Sequence, residues 1–525
     1  MRQSGSFSQK ELEMKSEMKI NIFISELMKG KKKKYIIGID IGTGSTKGIA
    51  MDSKGKVVAD SQLYYSTQSP RPGYAEQDPE IIWNAFTKCI KEIVDTLHNP
   101  PLSISFSSAM HGLIAVTREN KPISNLITWA DIRSEKLAEQ IRNSKRAKNI
   151  YTATGTPIHP MTPLCKIIWL RKNQPDVFKN AFKFISIKEF IWYRLFGVYE
   201  IDYSIASATG LFNIKTLKWN NTSLKLCGIN ANQLSAPKST NFIRKNANAS
   251  IINSLSLSVE TSFCIGASDG CLANLGSYAM SKGTAALTIG TSGAVRIASA
   301  KPVYNFKEMT FNYLLNDKTF ICGGPVNNGG NVLQWLFEAF LNNTKPSEKD
   351  YENLFQQIDS IPAGSKGLIF LPYLYGERAP VWDGRASGLF FGIKPFHTQD
   401  YFLRAALEGI CYSMNQVLQI VESSTLKINK LIVGGGLIHS TIWMKILSDV
   451  TGKKLFVIET QDSSAVGAAL LNMKAMKMIK NYSSLNPAIS QIVKPGLKNR
   501  KTHEANYEVF KNLYPALKNS MHKIY

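Results

Sequence analysis

The sequence lacks the long apolar runs and the cysteine patterns that mark membrane and exported proteins. No apolar run reaches the ~20 residues that a membrane-spanning helix needs, and the start has neither the apolar region nor the cleavage site of a signal peptide. The seven cysteines are scattered and never form a C-x-x-C pair, so neither a disulfide framework nor a zinc site is indicated. We therefore expect a cytoplasmic protein with reduced thiols and no membrane partner.

Two common nucleotide-binding signatures are also missing. No glycine stands five residues before a Gly-Lys pair, which excludes a P-loop by spacing. Residues 42–47 nearly match a dinucleotide-binding fingerprint, but the third glycine is absent, and residues 47–52 have the pattern of a strand where that fingerprint requires a helix. A Rossmann-type site is therefore not predicted.

Length and charge indicate a globular protein of two large domains. The 525 residues exceed what one hydrophobic core usually covers, and 44% are apolar. Much of the formal charge of +24 is diffuse, and nine basic residues fall in residues 1–34. This favours a lysine-rich surface that attracts anionic substrates over nucleic-acid binding. We expect residues 1–34 to be a disordered basic leader, and removing residues 1–33 to leave fold and activity intact.

Three predicted strands end in glycine-rich loops. Residues 35–40 have the β-branched pattern of a buried strand and lead into a loop of glycines and hydroxyl residues, in which Gly42 and Gly44 permit backbone angles that other residues resist. Residues 285–293 repeat this hairpin. Residues 431–436 end a third strand in a glycine triplet, after which Ser440 caps a helix that Gly452 closes. Such loops can bring backbone amides close to phosphates.

Acidic and polar residues follow further strands. Asp269 ends the apolar stretch 263–268, as Asp40 ends the first strand, and it is either a functional acid or the cap of the next helix. Residues 108–112 follow a short strand at a position suited to a ligand-facing loop. The proline-rich segment 155–163 is predicted to present His159 before an amphipathic helix that begins near Lys166.

Together these features resemble the duplicated ATPase fold of actin, sugar kinases and heat-shock chaperones. Two hairpin loops lie about 250 residues apart. Residues 161–173 fit the first signature of the FGGY carbohydrate kinases, and residues 388–408 resemble the second, although Tyr401 stands where a polar residue is usual. The resemblance covers residues 35 to about 514. It implies an α/β fold of two ribonuclease-H-like (actin-like ATPase) domains, at 35–279 and 280–525, with the nucleotide in the cleft between them.

The resemblance also implies roles for individual residues, with ATP and Mg²⁺ as cofactors. Asp269 matches the catalytic base, and Asp40 would face the magnesium through water. The positions matching the ATP-binding loops are Gly42, Thr43, Ser45, Thr46, Lys47, Gly290, Thr291, Ser292, Gly434, Gly435, Gly436 and Ser440. The positions matching the sugar site are Met110, His111, Trp129, Asp131, Arg133, His159 and Asp269.

The substrate implied is D-gluconate, converted to 6-phospho-D-gluconate. Ala109 and residues 156–163 and 377–383 are similar to the gluconate kinases, whereas the ketopentose kinases usually carry Gln before Met-His. D-Xylulose, or another ketopentose or polyol, is the alternative. An actin-like or chaperone-type ATPase switch is a remoter one. Arg133, His159 and Lys166 are candidate partners for a carboxylate, although Arg133 is equally suited to pairing within its own helix. The oligomeric state stays open, a homodimer included.

Overall fold

The computed structural model describes residues 34–424, 427–458, 462–485 and 487–524. The predicted leader lies outside these residues, apart from Lys34. The strands are β1 (Tyr35–Ile41), β2 (Ser45–Asp52), β3 (Val57–Tyr64), β4 (Glu76–Gln77), β5 (Ser103–Ser108), β6 (Ile114–Val116), β7 (Leu126–Ile127), β8 (Lys183–Ile185), β9 (Glu200–Asp202), β10 (Phe212–Asn213), β11 (Lys218–Trp219), β12 (Ala236–Lys238), β13 (Ile243–Arg244), β14 (Ser262–Ser268), β15 (Thr284–Ile289), β16 (Gly293–Ser299), β17 (Phe311–Asn316), β18 (Thr319–Val326), β19 (Ile369–Leu371), β20 (Leu389–Phe391), β21 (Lys430–Gly434), β22 (Lys454–Ile458) and β23 (Ile489–Val493).

The helices alternate with these strands. They are α1 (Pro79–Leu97), α2 (Glu135–Arg142), α3 (Ala147–Thr154), α4 (Pro163–Asn173), α5 (Pro175–Asn180), α6 (Ile187–Phe196), α7 (Tyr203–Ser207), α8 (Asn221–Cys227), α9 (Ala249–Ser254), α10 (Asp269–Gly276), α11 (Gly330–Leu341), α12 (Glu348–Asp359), α13 (Gln399–Ser423), α14 (Thr441–Thr451), α15 (Ser463–Ala475) and α16 (Leu497–Met521). Short 3₁₀ helices cover Ala231–Gln233, Ser365–Gly367, Gly436–His439 and Tyr482–Leu485.

Two mixed sheets have the same arrangement of six strands, and the second has the additional edge strand β17. The first is ordered β13-β14-β5-β1-β2-β3 and the second β17-β18-β16-β15-β21-β22-β23. In the first, β1 pairs antiparallel with β2 and parallel with β5. In the second, β15 pairs antiparallel with β16 and parallel with β21. A hairpin joined to parallel strands therefore occurs twice, which confirms the duplicated ribonuclease-H-like fold.

Local signals fix the ends of α1 and α14, and the predicted cap at Ser440 and end at Gly452 are confirmed. Helix α1 begins at Pro79 and ends at Leu97, and the Asp78 carboxylate accepts a hydrogen bond from the Glu80 amide at 2.8 Å. Ser440 caps α14 through the Trp443 amide at 3.2 Å, and Gly452 ends it in the left-handed conformation.

The prediction of an amphipathic helix near Lys166 is wrong. The first two turns of α4 are buried on every side, Lys166 included. The reason is that α4 packs against α2, α5 and α8, so the helix has no continuous solvent face.

Helix α15 lies on the first sheet although it follows the strands of the second in sequence. A Cβ on Gly38 of β1 would lie 2.1 Å from the Ala465 carbonyl oxygen, so this glycine allows the helix to approach the strand closely. Gly467 makes an equally close approach to the Leu272 carbonyl of α10. Helix α15 therefore packs against both β1 and α10.

All seven cysteines are buried and free. Within the described ranges, no helix combines the length and apolar character needed to cross a bilayer.

Candidate active site

The first hairpin brings Thr43 to the edge of a cavity. The Gly42 amide donates to the Ser45 carbonyl at 2.9 Å, which closes the turn between β1 and β2. The Trp129 indole Nε1 donates to Thr43 Oγ1 at 2.9 Å, and Thr46 is fully buried. Gly42 and Gly44 do not have the left-handed backbone angles predicted for them. No atom comes within 4 Å of a Cβ placed on Gly44, so the tip of the hairpin is open.

The second hairpin lies next to the glycine triplet. The Gly290 amide donates to the Ser292 carbonyl at 2.9 Å, as in the first hairpin. Gly435 has φ 82°, and a Cβ there would lie 2.3 Å from the Ile289 carbonyl oxygen. Parallel pairing of β15 with β21 therefore brings the predicted phosphate loop and adenosine loop to the same sheet edge.

The N-terminus of helix α11 also meets the second hairpin. The Gly330 amide donates to the Gly290 carbonyl at 2.7 Å, and the Asn331 amide donates to the Thr291 carbonyl at 3.2 Å. The sequence analysis did not single out these residues. Their signal was the run Asn327-Asn-Gly-Gly330 after β18.

Three carboxylates approach one another where the two sheets meet. Asp40 is the last residue but one of β1, Asp269 begins α10, and Asp462 caps α15 by accepting from the Ser464 and Ala465 amides, both at 2.9 Å. Burial raises the pKa of Asp40 well above its ordinary value, and the charges of Asp462 and Asp269 raise it further. Asp462, between β22 and α15, was not predicted.

Buried Lys188 balances part of this negative charge. Its ammonium donates to Asp202 at 2.7 Å and to the Ala267 carbonyl at 2.8 Å. Ser107 Oγ donates to Asp40 at 2.5 Å. The hydrogen bond from Ser107 and the charge of Lys188 both lower the pKa of Asp40 and so oppose the effect of burial.

Asp269 faces a cavity and does not cap a helix. Its carboxylate accepts from the Gly270 amide at 2.7 Å, and Ser268 occupies the position before the first turn. Burial raises the pKa of Asp269, while the Gly270 amide, Arg296 and Lys188 lower it. The carboxylate is therefore available to a ligand in the cavity.

The cavity has a volume of about 310 Å³ and lies between the two hairpins. Its lining residues are Thr43, Met110, His111, Trp129, Met161, Asp269, Gly270, Thr288, Ser292, Gly293, Ala294, Arg296, Phe311, Tyr313, Pro325 and Arg378. It brings together the predicted residues Thr43, Met110, His111, Trp129, Asp269 and Ser292.

His111 is held neutral at the wall of the cavity. Burial lowers its pKa to about 3. Its Nδ1 donates to the Ala208 carbonyl at 2.7 Å, so Nε2 is left to accept from the Tyr313 hydroxyl at 3.2 Å. The residue has φ 68°. His111 therefore positions Tyr313, which the sequence analysis missed.

Two arginines that the sequence analysis did not assign supply positive charge. Arg296 Nη1 donates to Thr288 Oγ1 at 3.0 Å. The Arg378 guanidinium lies 4.9 Å from the centroid of the Trp129 ring and donates to the Val326 carbonyl at 2.9 Å. A lone arginine inside the apolar strand β16 was the only sequence signal for Arg296.

Asp131 and Arg133 lie outside the cavity lining and bind each other. Arg133 Nε donates to both oxygens of Asp131 at 2.9 Å, and Nη2 reaches Glu76 at 2.5 Å. The Asp131 carboxylate also accepts from the Ala75 amide at 2.8 Å. Arg133 therefore pairs with Asp131 and with Glu76 of β4, and none of the three residues lies in a helix.

His159 and Lys166 are also outside the lining. Lys166 donates to the carbonyls of His111 and Thr128, both at 2.7 Å, and of Ile127 at 3.1 Å. The His159 ring lies 5.3 Å from Trp382, and burial lowers its pKa well below the ordinary value. The Lys166 ammonium is already bound to three backbone carbonyls, and these hydrogen bonds fix the loop that carries His111.

A magnesium ion held through water fits the carboxylates. Among the described residues, no three His, Cys, Asp or Glu side chains are placed to hold a metal directly. Mg²⁺ usually keeps several of its waters and contacts one or two carboxylates. The mutual repulsion of Asp40, Asp269 and Asp462, seen in the raised pKa of Asp40, is what a nearby cation would relieve.

Comparisons with known proteins agree with this geometry. Residues 35–276 match the N-terminal domain of the FGGY family of carbohydrate kinases, and residues 285–476 match its C-terminal domain. The gluconokinase of Bacillus subtilis is 38% identical over 499 residues, which cover 93% of this chain and 97% of that relative.

Two solved structures from Lactobacillus acidophilus, described as a gluconate kinase and a ligand-bound xylulose kinase, each superpose with a TM-score of 0.89 at 32% identity. Both alignments cover 94% of this chain and 100% of the solved one. On its fold, its two hairpins and these matches, the chain belongs to the FGGY family of carbohydrate kinases.

Proposed function

We propose that this kinase transfers the γ-phosphoryl group of ATP to D-gluconate and forms 6-phospho-D-gluconate. The observation that carries the proposal is the Asp269 carboxylate, which faces a cavity of about 310 Å³ that also contains Thr43 and Ser292 of the two hairpins. A base, a substrate-sized space and two phosphate-binding turns in one place are what phosphoryl transfer to an alcohol requires.

Asp269 acts as the general base. It accepts the proton of the terminal hydroxyl while that oxygen attacks the γ-phosphorus in line. Burial raises its pKa, which makes it a better proton acceptor than an exposed aspartate, and Lys188 and Arg296 keep it from being neutralised completely. Exclusion of water from the cavity protects ATP from hydrolysis.

The loops divide the binding of ATP between the two sheets. The hairpin amides and hydroxyls around Thr43 and Thr291 hold the phosphates, and the glycine triplet around Gly435 holds the adenosine. Asp40 would hold a magnesium ion through water, and that ion would supply positive charge to the phosphates. Residues 35–279 and 280–525 form the two domains that close over the nucleotide.

Gluconate is favoured over D-xylulose by two observations. The B. subtilis relative at 38% identity is a gluconokinase, and the cavity carries two arginines suited to an acidic substrate. The L. acidophilus structure described as a xylulose kinase keeps the ketopentose as the second candidate. A pure ATPase switch is disfavoured because it would have no use for a cavity beside the base.

A substrate screen tests the proposal. ADP release is measured with ATP, Mg²⁺ and each of D-gluconate, D-xylulose, glycerol and other aldonates, ketopentoses and polyols. We expect the highest kcat/KM with D-gluconate. A higher kcat/KM with D-xylulose would replace the substrate, and ATP hydrolysis unaffected by every sugar would contradict the kinase reaction itself.

A further inference from the structure

Two guanidinium groups lie in the cavity without a carboxylate at ion-pair distance among the described residues, although Asp269 raises the pKa of Arg296 and Glu377 raises that of Arg378. The only hydrogen bond of the Arg296 guanidinium within the described part of the chain goes to the neutral Thr288 hydroxyl, and none of the ion pairs found there includes Arg296 or Arg378. Burial lowers the pKa of Arg296, and it lowers that of Arg378 to about 10. Each charge has thus lost solvent without gaining a carboxylate within contact distance.

Arg378 also has an unsatisfied donor. The residue is 9% exposed, and its buried Nε has no hydrogen-bond partner in the described structure. Its Nη2 is occupied by the Val326 carbonyl, and the plane of the group lies near the Trp129 ring. A buried donor of this kind is costly unless a ligand accepts from it.

The two cations are close enough to affect each other. Arg296 lowers the pKa of Arg378, and the charges of both oppose the rise that burial causes in the pKa of Tyr313. Like charges gathered in a buried space destabilise the empty site, and an anion bound between them would remove that cost.

Arg296 faces the sugar side of the cavity. A Cβ placed on Gly270 would lie 2.8 Å from Met110 Cε and 3.4 Å from Arg296 Nε, so the absence of a side chain at Gly270 leaves room for both groups. Met110 is one of the positions that match the sugar site, whereas the turns proposed to bind phosphate at Thr43 and Thr291 lie at the hairpin tips. The position of Arg296 therefore favours contact with the substrate over contact with ATP.

We infer that Arg296 and Arg378 form the carboxylate subsite of this kinase, and that Arg296 is the residue that makes the site select a sugar acid over an uncharged sugar. A guanidinium matches a carboxylate with two parallel hydrogen bonds, and the pair would hold the acid end while the hydroxyl end lies at Asp269. The inference rests on the proposed function and names the groups that determine its substrate class.

The test compares two substrates that differ only in charge, D-gluconate and D-gluconamide. Arg296→Gln removes the charge and keeps a donor for Thr288, and Arg296→Lys keeps the charge. Lys318→Gln, on the exposed turn between β17 and β18, controls for the loss of one positive charge. We expect Arg296→Gln to raise the KM for gluconate on the order of tenfold to a hundredfold, as for a lost charge-assisted pair. Its effect on the pKa of Asp269 is common to both substrates, so kcat/KM for gluconate should fall on the order of tenfold more than kcat/KM for gluconamide. Arg296→Lys should recover part of the gluconate affinity, and Lys318→Gln should behave as the wild type.

Equal losses with both substrates would overturn the inference, because the guanidinium would then act on the shared chain or on the phosphoryl group. An unchanged KM for gluconate would overturn it as well. If Arg296→Gln does not fold, the wild type decides: a carboxylate subsite requires a preference for gluconate over gluconamide on the order of tenfold or more. Wild-type enzyme that phosphorylates only uncharged sugars would contradict the proposed substrate. Enzyme that phosphorylates gluconate equally well with and without Arg296 would instead contradict only the carboxylate subsite.

Discussion

Replacing Asp269 by Asn tests the catalytic assignment most directly. The amide has the same size as the carboxylate, and its oxygen can still accept from the Gly270 amide, now at 2.7 Å. It cannot take a proton from the substrate hydroxyl. The change also removes one of three mutually repelling carboxylates, since the charge of Asp269 raises the pKa of Asp40.

We therefore expect a large effect on turnover and a small effect on the free energy of unfolding. Loss of a general base lowers turnover by on the order of a hundredfold to ten-thousandfold. At about 1.36 kcal/mol per tenfold, this is about 2.7 to 5.4 kcal/mol of barrier. The free energy of unfolding should change by at most about 1 kcal/mol, because no cap is lost and the single hydrogen bond is retained.

The assay pairs gluconate-dependent ADP release with a thermal melt of the same preparation. Asp78→Asn is the matched control, since Asp78 is the N-cap of α1 and should affect stability slightly and turnover not at all. An Asp269→Asn enzyme with turnover within tenfold of the wild type would refute the assignment, whichever sugar is the substrate. ATP affinity should stay near normal in both variants.

Four further outcomes follow from the same geometry. Asp40→Asn should weaken the magnesium dependence of turnover more than sugar affinity, and equal losses by calorimetry would show that Asp40 is wrongly placed. Gly435→Ala should raise the KM for ATP and lower the melting temperature, because φ is 82° and the Ile289 carbonyl blocks a Cβ. The backbone strain should destabilise the fold by about 1 to 2 kcal/mol or more. Unchanged kinetics would argue against an adenosine loop there. Burial raises the pKa of Asp269, and the base must be ionised to act. On acidification, kcat/KM should therefore fall with a midpoint at a pH above ~3.9, the pKa of an ordinary aspartate. Loss of the Arg296 charge should move this midpoint to higher pH, because Arg296 lowers the pKa of Asp269. A shift to lower pH would contradict that effect. ATP analogue with sugar should make the particle more compact by X-ray scattering, and identical curves would count against domain closure.

Much of the two-hairpin framework was predictable because its signals are local. A β-branched run followed by Gly and Thr gave the hairpin at Thr43, and the same pattern gave the one at Thr291. The end of β14 at Ser268 and the start of α10 at Asp269 were likewise readable from a short apolar stretch followed by an acid. Each of these features depends on backbone preferences within a few residues.

The composition of the sugar pocket was less predictable, because its members come from distant segments. Arg296, Tyr313 and Arg378 meet at the cavity through sheet pairing and a loop approach that no local pattern encodes. Conversely, Arg133 and Lys166 looked suited to a carboxylate by residue type. In the folded chain their donors are taken by Asp131 and by backbone carbonyls.

The sequence by itself determined the two hairpins, the glycine triplet and the position of Asp269 at a strand end, since short-range periodicity and glycine placement fix these. Only the tertiary structure decided which charges meet. Helix α15 packs on the first sheet and brings Asp462 near Asp40. Lys166 is buried, and its ammonium donates to backbone carbonyls and not to a ligand in the cavity. The physical reason is that an ionic group acts on whatever the fold places within a few ångströms of it, and that neighbourhood is set by long-range packing and desolvation.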